Sequence, residues 1–197
     1  IVRGDVLDED AVRAAAKGCV AIYHFAGLVE NGSDKGPSAA AVETEYLGLA
    51  NVCKAALKGN GTKIVFASSC AVYGISANDT EITEDLPTAP RSSYAVSKRM
   101  GELFLKSHYE ESGLPSLALR YFNPYGPGQD NNMVVSRFCS LAMAGKPLTI
   151  HGDGGQTRDF VYIDDLAEAT VRAGEAVDGH DVVNVCTGRD HSIRVLA

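Results

Sequence analysis

Short apolar runs alternate with longer amphipathic stretches along most of this chain. The apolar runs end in turn residues and predict buried strands over 19–25, 63–68 and 116–121. Stretches with apolar residues three or four positions apart predict helices over about 11–17, 39–58 and 93–112. Alternation at this spacing is typical of βαβ units, so we expect an α/β fold with a Rossmann-like, doubly wound parallel sheet.

The pattern changes after Phe122, where turn residues become frequent over 123–128. Beyond this segment the sequence predicts a helix over about 133–144, a short strand over 148–151 and a glycine loop over 152–155. We therefore expect a first domain over 1–124, incomplete at its N-terminus, and part of a smaller lobe over 125–197, with some of 159–177 returning to the sheet.

Composition narrows the function classes. The chain has 197 residues with 18 Lys+Arg against 25 Asp+Glu, a net charge of −7, which argues against binding to nucleic acid. Apolar runs are too short for a membrane span and no signal peptide opens the chain, so a cytoplasmic protein is expected. The five scattered cysteines form no CxxC or Cys/His cluster, so we expect buried thiols rather than disulfides or a metal site.

The candidate chemistry begins with Tyr94 and Lys98, which lie four positions apart on one face of the predicted helix. An ammonium beside a phenol favours the phenolate, moving a pKa of about 10 toward neutrality and making a general base. Ser68 and Ser69 end the preceding strand, and ligands of open α/β sheets gather at that end of the strands. The arrangement suits hydride chemistry on an alcohol. Without the serines, a solvated helix face would explain the Tyr/Lys pair equally well.

An ordered series of motifs resembles the extended short-chain dehydrogenases/reductases, specifically the NAD-dependent nucleotide-sugar epimerase/dehydratase family. The series covers nearly the whole chain and consists of Gly4-Asp5-Val6, His24-Phe25-Ala26-Gly27, 68–74, 94–98, 120–127 and 152–160.

The resemblance implies the following roles. Ser69, Tyr94 and Lys98 are similar to the family's catalytic residues, with Lys98 lowering the pKa of Tyr94 and binding the nicotinamide ribose. The residues implied in NAD binding are Asp5, Val6, Phe25, Ala26, Gly27, Ser68, Tyr94, Lys98, Tyr121 and Phe122. Those implied in binding a nucleotide-diphosphate sugar, most simply a UDP-sugar, are Ser69, Asn123, Asn132, Leu148, Ile150 and Arg158.

The chain also departs from the family pattern. It lacks the GxxGxxG turn that presents backbone N–H groups to the pyrophosphate, and Glu45 and Val29 replace an asparagine and a lysine found in relatives. The sequence resembles a portion of a longer enzyme that begins at the third strand. We expect this segment alone to bind NAD weakly and to leave its first strand at an exposed sheet edge.

The reaction is suggested by the residues after Ser69. Family dehydratases carry an Asp-Glu pair there and decarboxylating members a Glu, whereas this chain has Cys70 and Ala71, which are not strong general acids. The resemblance then favours a 4-epimerase of the kind that interconverts UDP-glucose and UDP-galactose: Tyr94 deprotonates the 4-hydroxyl, hydride passes to NAD, and hydride returns to the other face of the 4-keto sugar. The alternatives are a reductase or dehydratase on the same fold and a cofactor-free binding module.

Assembly is also implied by the resemblance. Family members dimerise through the two long helices, and Val42, Leu49, Val52 and Leu103 or Leu105 could supply the apolar seam of a homodimer, although the same side chains could instead pack on the sheet.

Overall fold

A computed structural model gives the structure of the chain and describes residues 1–27, 39–59, 61–74 and 81–197; Val29 therefore lies outside the described residues. The helices are α1 (Glu9–Ala16), α2 (Ala39–Lys58), α3 (Ser93–Ser112), α4 (Val134–Met143), α5 (Ile163–Ala176) and α6 (Ile193–Leu196). The strands are β1 (Ala21–His24), β2 (Lys63–Ser69), β3 (Ser116–Tyr121), β4 (Pro124–Tyr125), β5 (Thr157–Asp159), β6 (Val161–Tyr162), β7 (His180–Val185) and β8 (Asp190–Ser192).

The chain divides into two compact units. Unit 1 comprises Ile1–Arg120 and Thr170–Asn184, and unit 2 comprises Tyr121–Ala169 and Val185–Ala197. The first break falls within β3, four residues before Pro124, and the segment that returns to unit 1 begins at Thr170 inside α5. Unit 1 is thus built from two stretches of chain that are distant in sequence.

Unit 1 is organised around a four-stranded sheet with the order β1-β2-β3-β7. Strands β1 and β2 are parallel, with Ala21 opposite Lys63 and His24 opposite Phe66. Side chains alternate across the sheet: Ile22 packs into the cluster beneath α2 and α3, whereas Tyr23 on the opposite face lies so close to α5 that a Cβ on Gly174 would clash with its hydroxyl. The expected α/β fold with a parallel sheet is confirmed.

The core of unit 1 lies between this sheet and the helices α2 and α3. Its buried members are Leu49, Val52, Cys53, Ala56, Ile64, Phe66, Leu105, Leu114 and Ala118. Helix α3 can approach the sheet closely because Gly101 has no side chain; a Cβ there would lie 2.6 Å from Phe66 Cζ. Leu49, Val52 and Leu105 belong to this core, so for these three the alternative of packing on the sheet holds, and only Val42 and Leu103 of the set are exposed.

The helix ends follow local sequence signals. Asp8 caps α1 by accepting hydrogen bonds from the backbone N–H groups of Asp10 and Ala11, each at 3.0 Å. Ser92 caps α3 through Ala95 N–H at 3.1 Å. Gly113 ends α3 with φ 71°, a left-handed conformation that glycine adopts without strain. Ser92 and Gly113 thus fix the two ends of α3, the helix that carries Tyr94 and Lys98.

In unit 2, β4 pairs with β6 in parallel and β5 pairs with β8 antiparallel, so Arg158 lies opposite His191. The predicted strand over 148–151 is wrong. That segment follows Pro147, which has no N–H to donate, and it has no ladder partner among the described residues. The segment that forms a strand here is 157–159, which pairs with β8.

Two further expectations concern the surface. In the described part of the chain, every helix is too short or too polar to cross a membrane. The cysteines are free, but the expectation that they are buried is wrong for Cys19, Cys139 and Cys186, which are exposed. Cys53 is buried, and burial raises the pKa of its thiol to about 12.

Candidate functional site

Ser69 is the last residue of β2, where the strand turns into a short 3-10 helix over Cys70–Tyr73. Its Oγ accepts a hydrogen bond from the backbone N–H of Ala71 at 3.2 Å and thereby caps this turn. The capping contact uses the oxygen as an acceptor and leaves the hydroxyl hydrogen to donate on the side of Tyr94, whose pKa a hydrogen bond from Ser69 lowers. The strand end therefore presents a half-buried hydroxyl at a fixed place.

Tyr94 and Lys98 lie in the first two turns of α3, one helical turn apart as their spacing predicts. The Lys98 Nζ is 5.6 Å from the centroid of the Tyr94 ring and 5.1 Å from that of Phe66. Ser69 is close enough to Tyr94 to influence its titration. The three proposed catalytic residues are thus brought together in unit 1.

The expected lowering of the Tyr94 pKa is not what the ligand-free site produces. Burial raises the pKa of Tyr94 above its usual value, and the charges of Glu45 and Cys70 act in the same direction. The Ser69 hydroxyl lowers it, but by less. The prediction from spacing was wrong because it counted the Lys98 ammonium and left out the burial of the phenol, which is the largest contribution, and the Glu45 carboxylate, which adds to it.

That carboxylate is Glu45 of α2, whose Oε2 accepts a hydrogen bond from Lys98 Nζ at 3.0 Å. Both side chains are almost fully buried, at 3% and 6% exposed. The other oxygen, Oε1, is buried and has no hydrogen-bond partner among the described residues. It lies directly over Gly27, where a Cβ would clash with it.

These groups fit the hydroxyl-bearing part of a dinucleotide. A ribose diol needs a donor and an acceptor close together, and Lys98 Nζ and Glu45 Oε1 provide them beside a glycine without a side chain. Phe25, Ala26 and Gly27 form the exposed turn next to this pair. The unpaired buried oxygen costs about 1–3 kcal/mol, which a ligand hydroxyl would offset.

Val6 is held on α2, and the side chain of Asp5 makes a local contact beside it. The Asp5 carboxylate accepts from the backbone N–H of Leu7 at 2.9 Å, and Asn51 Nδ2 donates to the carbonyl oxygens of Val6 and Leu7 at 3.1 Å each. Asn51 was missed in the sequence, where its position as a polar residue within the apolar face of α2 was the available signal. Gly48 makes room for Val6, since a Cβ there would lie 2.8 Å from Val6 Cγ1.

Ser68 does not offer its side chain to a ligand. Its Oγ donates to Glu102 Oε1 at 2.5 Å, inside a buried charged network. Glu102 also binds Arg120 through two hydrogen bonds, at 2.8 Å from Nε and 2.7 Å from NH2. Hydrogen bonds from Arg120, Ser68 and Arg99 outweigh burial and lower the pKa of Glu102, so the carboxylate is charged. The Ser68 side chain therefore has a structural role in this network, and the predicted contact of Ser68 with the cofactor stays a prediction.

The network continues from Arg120 NH1 to the Tyr73 hydroxyl at 2.7 Å, and from Tyr73 to Asn184 Oδ1 at 2.7 Å. It joins α3, β2, β3, β7 and the turn after Ser69. These residues were missed in the sequence. Arg120 within an apolar strand was the available signal, because a buried guanidinium requires an anionic partner. The network fixes the strand end that carries Ser69 relative to the helix that carries Tyr94.

Unit 2 contains a cavity of about 250 Å³. Its walls come from α4, the segment before β5, and β5 itself. The lining residues are Asn123, Pro124, Gln129, Met133, Val134, Val135, Phe138, Thr149, His151, Gln156, Arg158, Phe160 and Ile193. An apolar wall with a guanidinium and several amides suits a planar, phosphate-bearing ligand.

Of the five predicted substrate residues in unit 2, two line this cavity and three do not. Asn123 is fixed there by donating from Nδ2 to the Asp159 carbonyl at 2.8 Å, and Arg158 donates from NH1 to the Thr157 carbonyl at 2.7 Å. Leu148, Ile150 and Asn132 are not among the lining residues; Thr149 and His151 take the place of the first two. Segment 148–151 is not a strand, so the side-chain alternation assumed for it does not hold, and the substrate contacts predicted for Leu148, Ile150 and Asn132 stay predictions.

Tyr121 and Phe122 follow Arg120 at the end of β3. Tyr121 is half-buried, and Phe122 is 8% exposed. The backbone N–H of Phe122 donates to the carbonyl of Val185 at 3.0 Å within unit 2. Their predicted contact with the nicotinamide end stays a prediction.

Comparisons with known proteins show the family of the chain. A family model described as the NAD dependent epimerase/dehydratase family matches residues 1–186. The UDP-glucose 4-epimerase of Mycolicibacterium smegmatis is 34% identical over 202 residues, which covers 99% of this chain and 64% of that protein. The UDP-N-acetyl-alpha-D-glucosaminuronate decarboxylase of Bacillus cytotoxicus is 31% identical over 204 residues, covering 100% of this chain and 63% of that protein.

Solved structures show the same fold. The UDP-N-acetylglucosamine 4-epimerase of Methanobrevibacter ruminantium, solved with UDP-N-acetylmuramic acid, superimposes with a TM-score of 0.92 at 32% identity, over 100% of this chain and 64% of that one. The UDP-glucose 4-epimerase of Thermus thermophilus in complex with NAD gives 0.87 at 31% identity, over 98% and 65%. The chain thus spans slightly less than two thirds of the length of the relatives it matches.

Proposed function

Because the chain belongs to the NAD dependent epimerase/dehydratase family, we propose that it carries the catalytic residues of an NAD-dependent nucleotide-sugar 4-epimerase. Tyr94 removes the proton from a sugar hydroxyl, and Ser69 donates a hydrogen bond to the same oxygen. NAD, when bound, accepts and returns the hydride at the sugar carbon. The relatives also include a decarboxylase and 4,6-dehydratases. The choice among these reactions therefore depends on the residues of this chain's own site.

The observation that carries the proposal is the neighbourhood of Ser69. Tyr94 lies beside it, and the two residues that follow it, Cys70 and Ala71, supply no carboxylic acid. Elimination of water or carbon dioxide needs an added acid or base at the sugar, whereas epimerisation at a hydroxyl carbon needs one base and one hydrogen-bond donor. The site has one candidate base, Tyr94, and one candidate hydrogen-bond donor, Ser69.

Unit 1 supplies the residues for NAD. We assign the ribose hydroxyls to Lys98 and Glu45, the turn over 25–27 to the close approach of the dinucleotide, and Asp5 with Val6 to the adenine. Tyr121 and Phe122 are assigned to the nicotinamide end. The exposed backbone of the turn and the unpaired Glu45 oxygen support this placement.

Unit 2 supplies the residues for the nucleotide diphosphate of the sugar. Arg158 offers a planar fork that suits phosphate oxygens, and Asn123 lines the same cavity. Phe138 and Phe160 give apolar surface against which a base can pack. The ligand is a nucleotide-diphosphate sugar, and a UDP-sugar is the simplest choice because the relatives above act on UDP-sugars.

The experiment is to incubate the full-length protein with NAD and UDP-glucose and to follow the sugar by proton NMR. An epimerase produces UDP-galactose with no net change in the absorbance of reduced nicotinamide. A reductase would instead consume reduced cofactor stoichiometrically, and a dehydratase would produce a deoxy keto sugar. Either result, or no turnover with any UDP-hexose, would rule out the proposed reaction.

A homodimer is the second part of the proposal. Exposed apolar side chains lie on α2 and α3, and on α3 they are spaced four and three positions apart on one face. They are Val42, Tyr46, Leu47, Val96, Met100 and Leu103. A second copy that packs its α2 and α3 against these helices would cover this surface in a four-helix arrangement.

Sedimentation of the full-length protein at micromolar concentration tests the dimer. Leu103→Glu places a charge in the proposed interface and should yield a monomer. Val171→Glu, at an equally exposed position on α5, is the matched control and should leave the dimer intact. A monomeric parent protein would refute the assembly.

A further inference from the structure

Glu45 forms a buried ion pair that the resemblance did not imply. Its Oε2 binds Lys98 Nζ at 3.0 Å, and both side chains are removed from water. A buried charge is tolerated only with a partner, so each of these residues holds the other in place. Because Glu45 extends from α2 and Lys98 from α3, the pair also ties the two helices together at the site.

The same ammonium lies next to Tyr94. Lys98 Nζ is 5.6 Å from the centroid of the Tyr94 ring, and the two residues are one helical turn apart. A phenolate at Tyr94 would be stabilised by an ammonium at this range. Glu45 brings an opposite charge to the same ammonium, and this charge raises the pKa of Tyr94.

Several other groups face this cluster. From β2 and the turn after it, Ser69 lowers the pKa of Tyr94 and Cys70 raises it. From β1, His24 lies near Lys98, which together with burial lowers the pKa of this histidine to about 4, so it is neutral at physiological pH. Glu45 and Lys98 are therefore the charged pair that acts on the Tyr94 hydroxyl at neutral pH.

We propose that Glu45 is a positioning residue of this site, which holds the Lys98 ammonium over Gly27 and thereby keeps the proton on the Tyr94 hydroxyl in the ligand-free protein. The unpaired Oε1 faces the same glycine, so a ligand hydroxyl that binds there withdraws part of the carboxylate's charge from Lys98. The consequence of this role of Glu45 for catalysis rests on the proposed epimerase function, whereas its effect on the Tyr94 proton does not.

The experiment is an ultraviolet titration of tyrosinate in the full chain without NAD or sugar. The protein has eight tyrosines, so each titration is compared with that of the same protein carrying Tyr94→Phe, and the difference reports Tyr94 alone. Glu45→Gln keeps the size of the side chain and removes its charge. We expect Tyr94 in this variant to titrate at least about one pH unit lower, because a buried negative charge that opposes the phenolate is removed.

Glu43→Gln is the matched control, since it removes the same charge from an exposed position on the same helix and should leave the titration unchanged. An unchanged titration in Glu45→Gln, or an equal shift in Glu43→Gln, would overturn the proposal.

Lys98→Met provides a second route if Glu45→Gln does not fold. Without the ammonium, the Glu45 charge is unopposed and Tyr94 should titrate at a higher pH than in the parent chain. The same or a lower pH would contradict the assigned role. Because none of these titrations requires turnover, a failure here is distinguishable from a failure of the proposed reaction.

Discussion

Ser68 donates a hydrogen bond to Glu102 over 2.5 Å, so the residue before Ser69 is tied to the helix that carries Tyr94. Glu102 in turn binds Arg120 through two nitrogen atoms, and both side chains are buried. A bidentate contact of this kind fixes orientation as well as distance. The position of the candidate catalytic hydroxyls therefore depends on a charged network in the core of unit 1.

Glu102→Gln should strongly destabilise the protein. The substitution leaves the Arg120 guanidinium buried without its anion, and breaking a buried pair in this way costs about 3 kcal/mol or more. The free energy of unfolding, from urea denaturation, measures the effect. Glu110→Gln removes the same charge from an exposed pair with Lys106 on the same helix and should change it by less than about 0.5 kcal/mol. Equal effects would show that the network contributes no more than a surface pair.

Stability should fall as the solution is acidified from pH about 6.5 to about 4, because of His24. Burial, with a contribution from Lys98, lowers the pKa of His24 from 6.5 to about 4, so between these values the unfolded chain binds the proton and the folded one does not. Stability is full above the unfolded pKa and decreases toward the folded one, by up to about 3 kcal/mol. Denaturation at a series of pH values measures this slope.

His24→Leu should flatten the slope in that interval. His191→Leu removes an exposed histidine and should leave the slope as in the parent protein. A slope that is the same in all three proteins would mean that His24 does not titrate as its burial requires.

Tyr94→Phe should lower turnover by at least about 10²-fold, the size expected on removing a general base. The affinity for the nucleotide sugar should change little, because its diphosphate is assigned to unit 2. Turnover by NMR and affinity by calorimetry separate the two effects. Tyr109→Phe, farther along the same helix, is the control and should retain activity. Near-normal turnover in Tyr94→Phe would remove this residue from the mechanism.

Arg158→Gln should weaken the binding of UDP by about tenfold or more, since a charge-assisted hydrogen bond to phosphate contributes about 1.5–3 kcal/mol. Isothermal calorimetry with UDP alone reads this contact without any turnover. Arg137→Gln removes a guanidinium from an exposed position on α4 that does not line the cavity, and it should bind UDP as the parent does. If both variants bind normally, the cavity is not the diphosphate site.

Local patterns predicted the elements of unit 1 well. Helices α2 and α3 and strand β3 have the predicted bounds, because apolar periodicity, a serine cap and a C-terminal glycine all act within a few residues. Strand β1 is shorter than predicted, at Ala21–His24 instead of 19–25, because only these four residues pair with β2. Unit 2 was predicted less well because its short strands are defined by pairing between distant segments, such as β5 with β8.

The candidate site was likewise predicted only where its residues are placed by local sequence patterns. Tyr94, Lys98 and Ser69 could be grouped from spacing alone, since a helical turn and a strand end determine their places. The Lys98–Glu45 pair joins residues 53 positions apart, and the bond from Ser68 to Glu102 spans 34. Neither contact follows from a local pattern: the Glu45 charge adds to the burial that raises the pKa of Tyr94, and the bond to Glu102 gives the Ser68 side chain a structural role.

The sheet order β1-β2-β3-β7 has a consequence for how such a protein can diversify. Its fourth strand comes from a segment that the chain reaches only after tracing most of unit 2, and the chain passes between the units at 120/121, 169/170 and 184/185. Residues 121–169 of unit 2 are therefore inserted between two segments of unit 1. A lineage could not replace this part of unit 2 by joining one gene segment to the end of another; it would have to exchange an internal segment with both of its junctions, or else remodel that segment residue by residue.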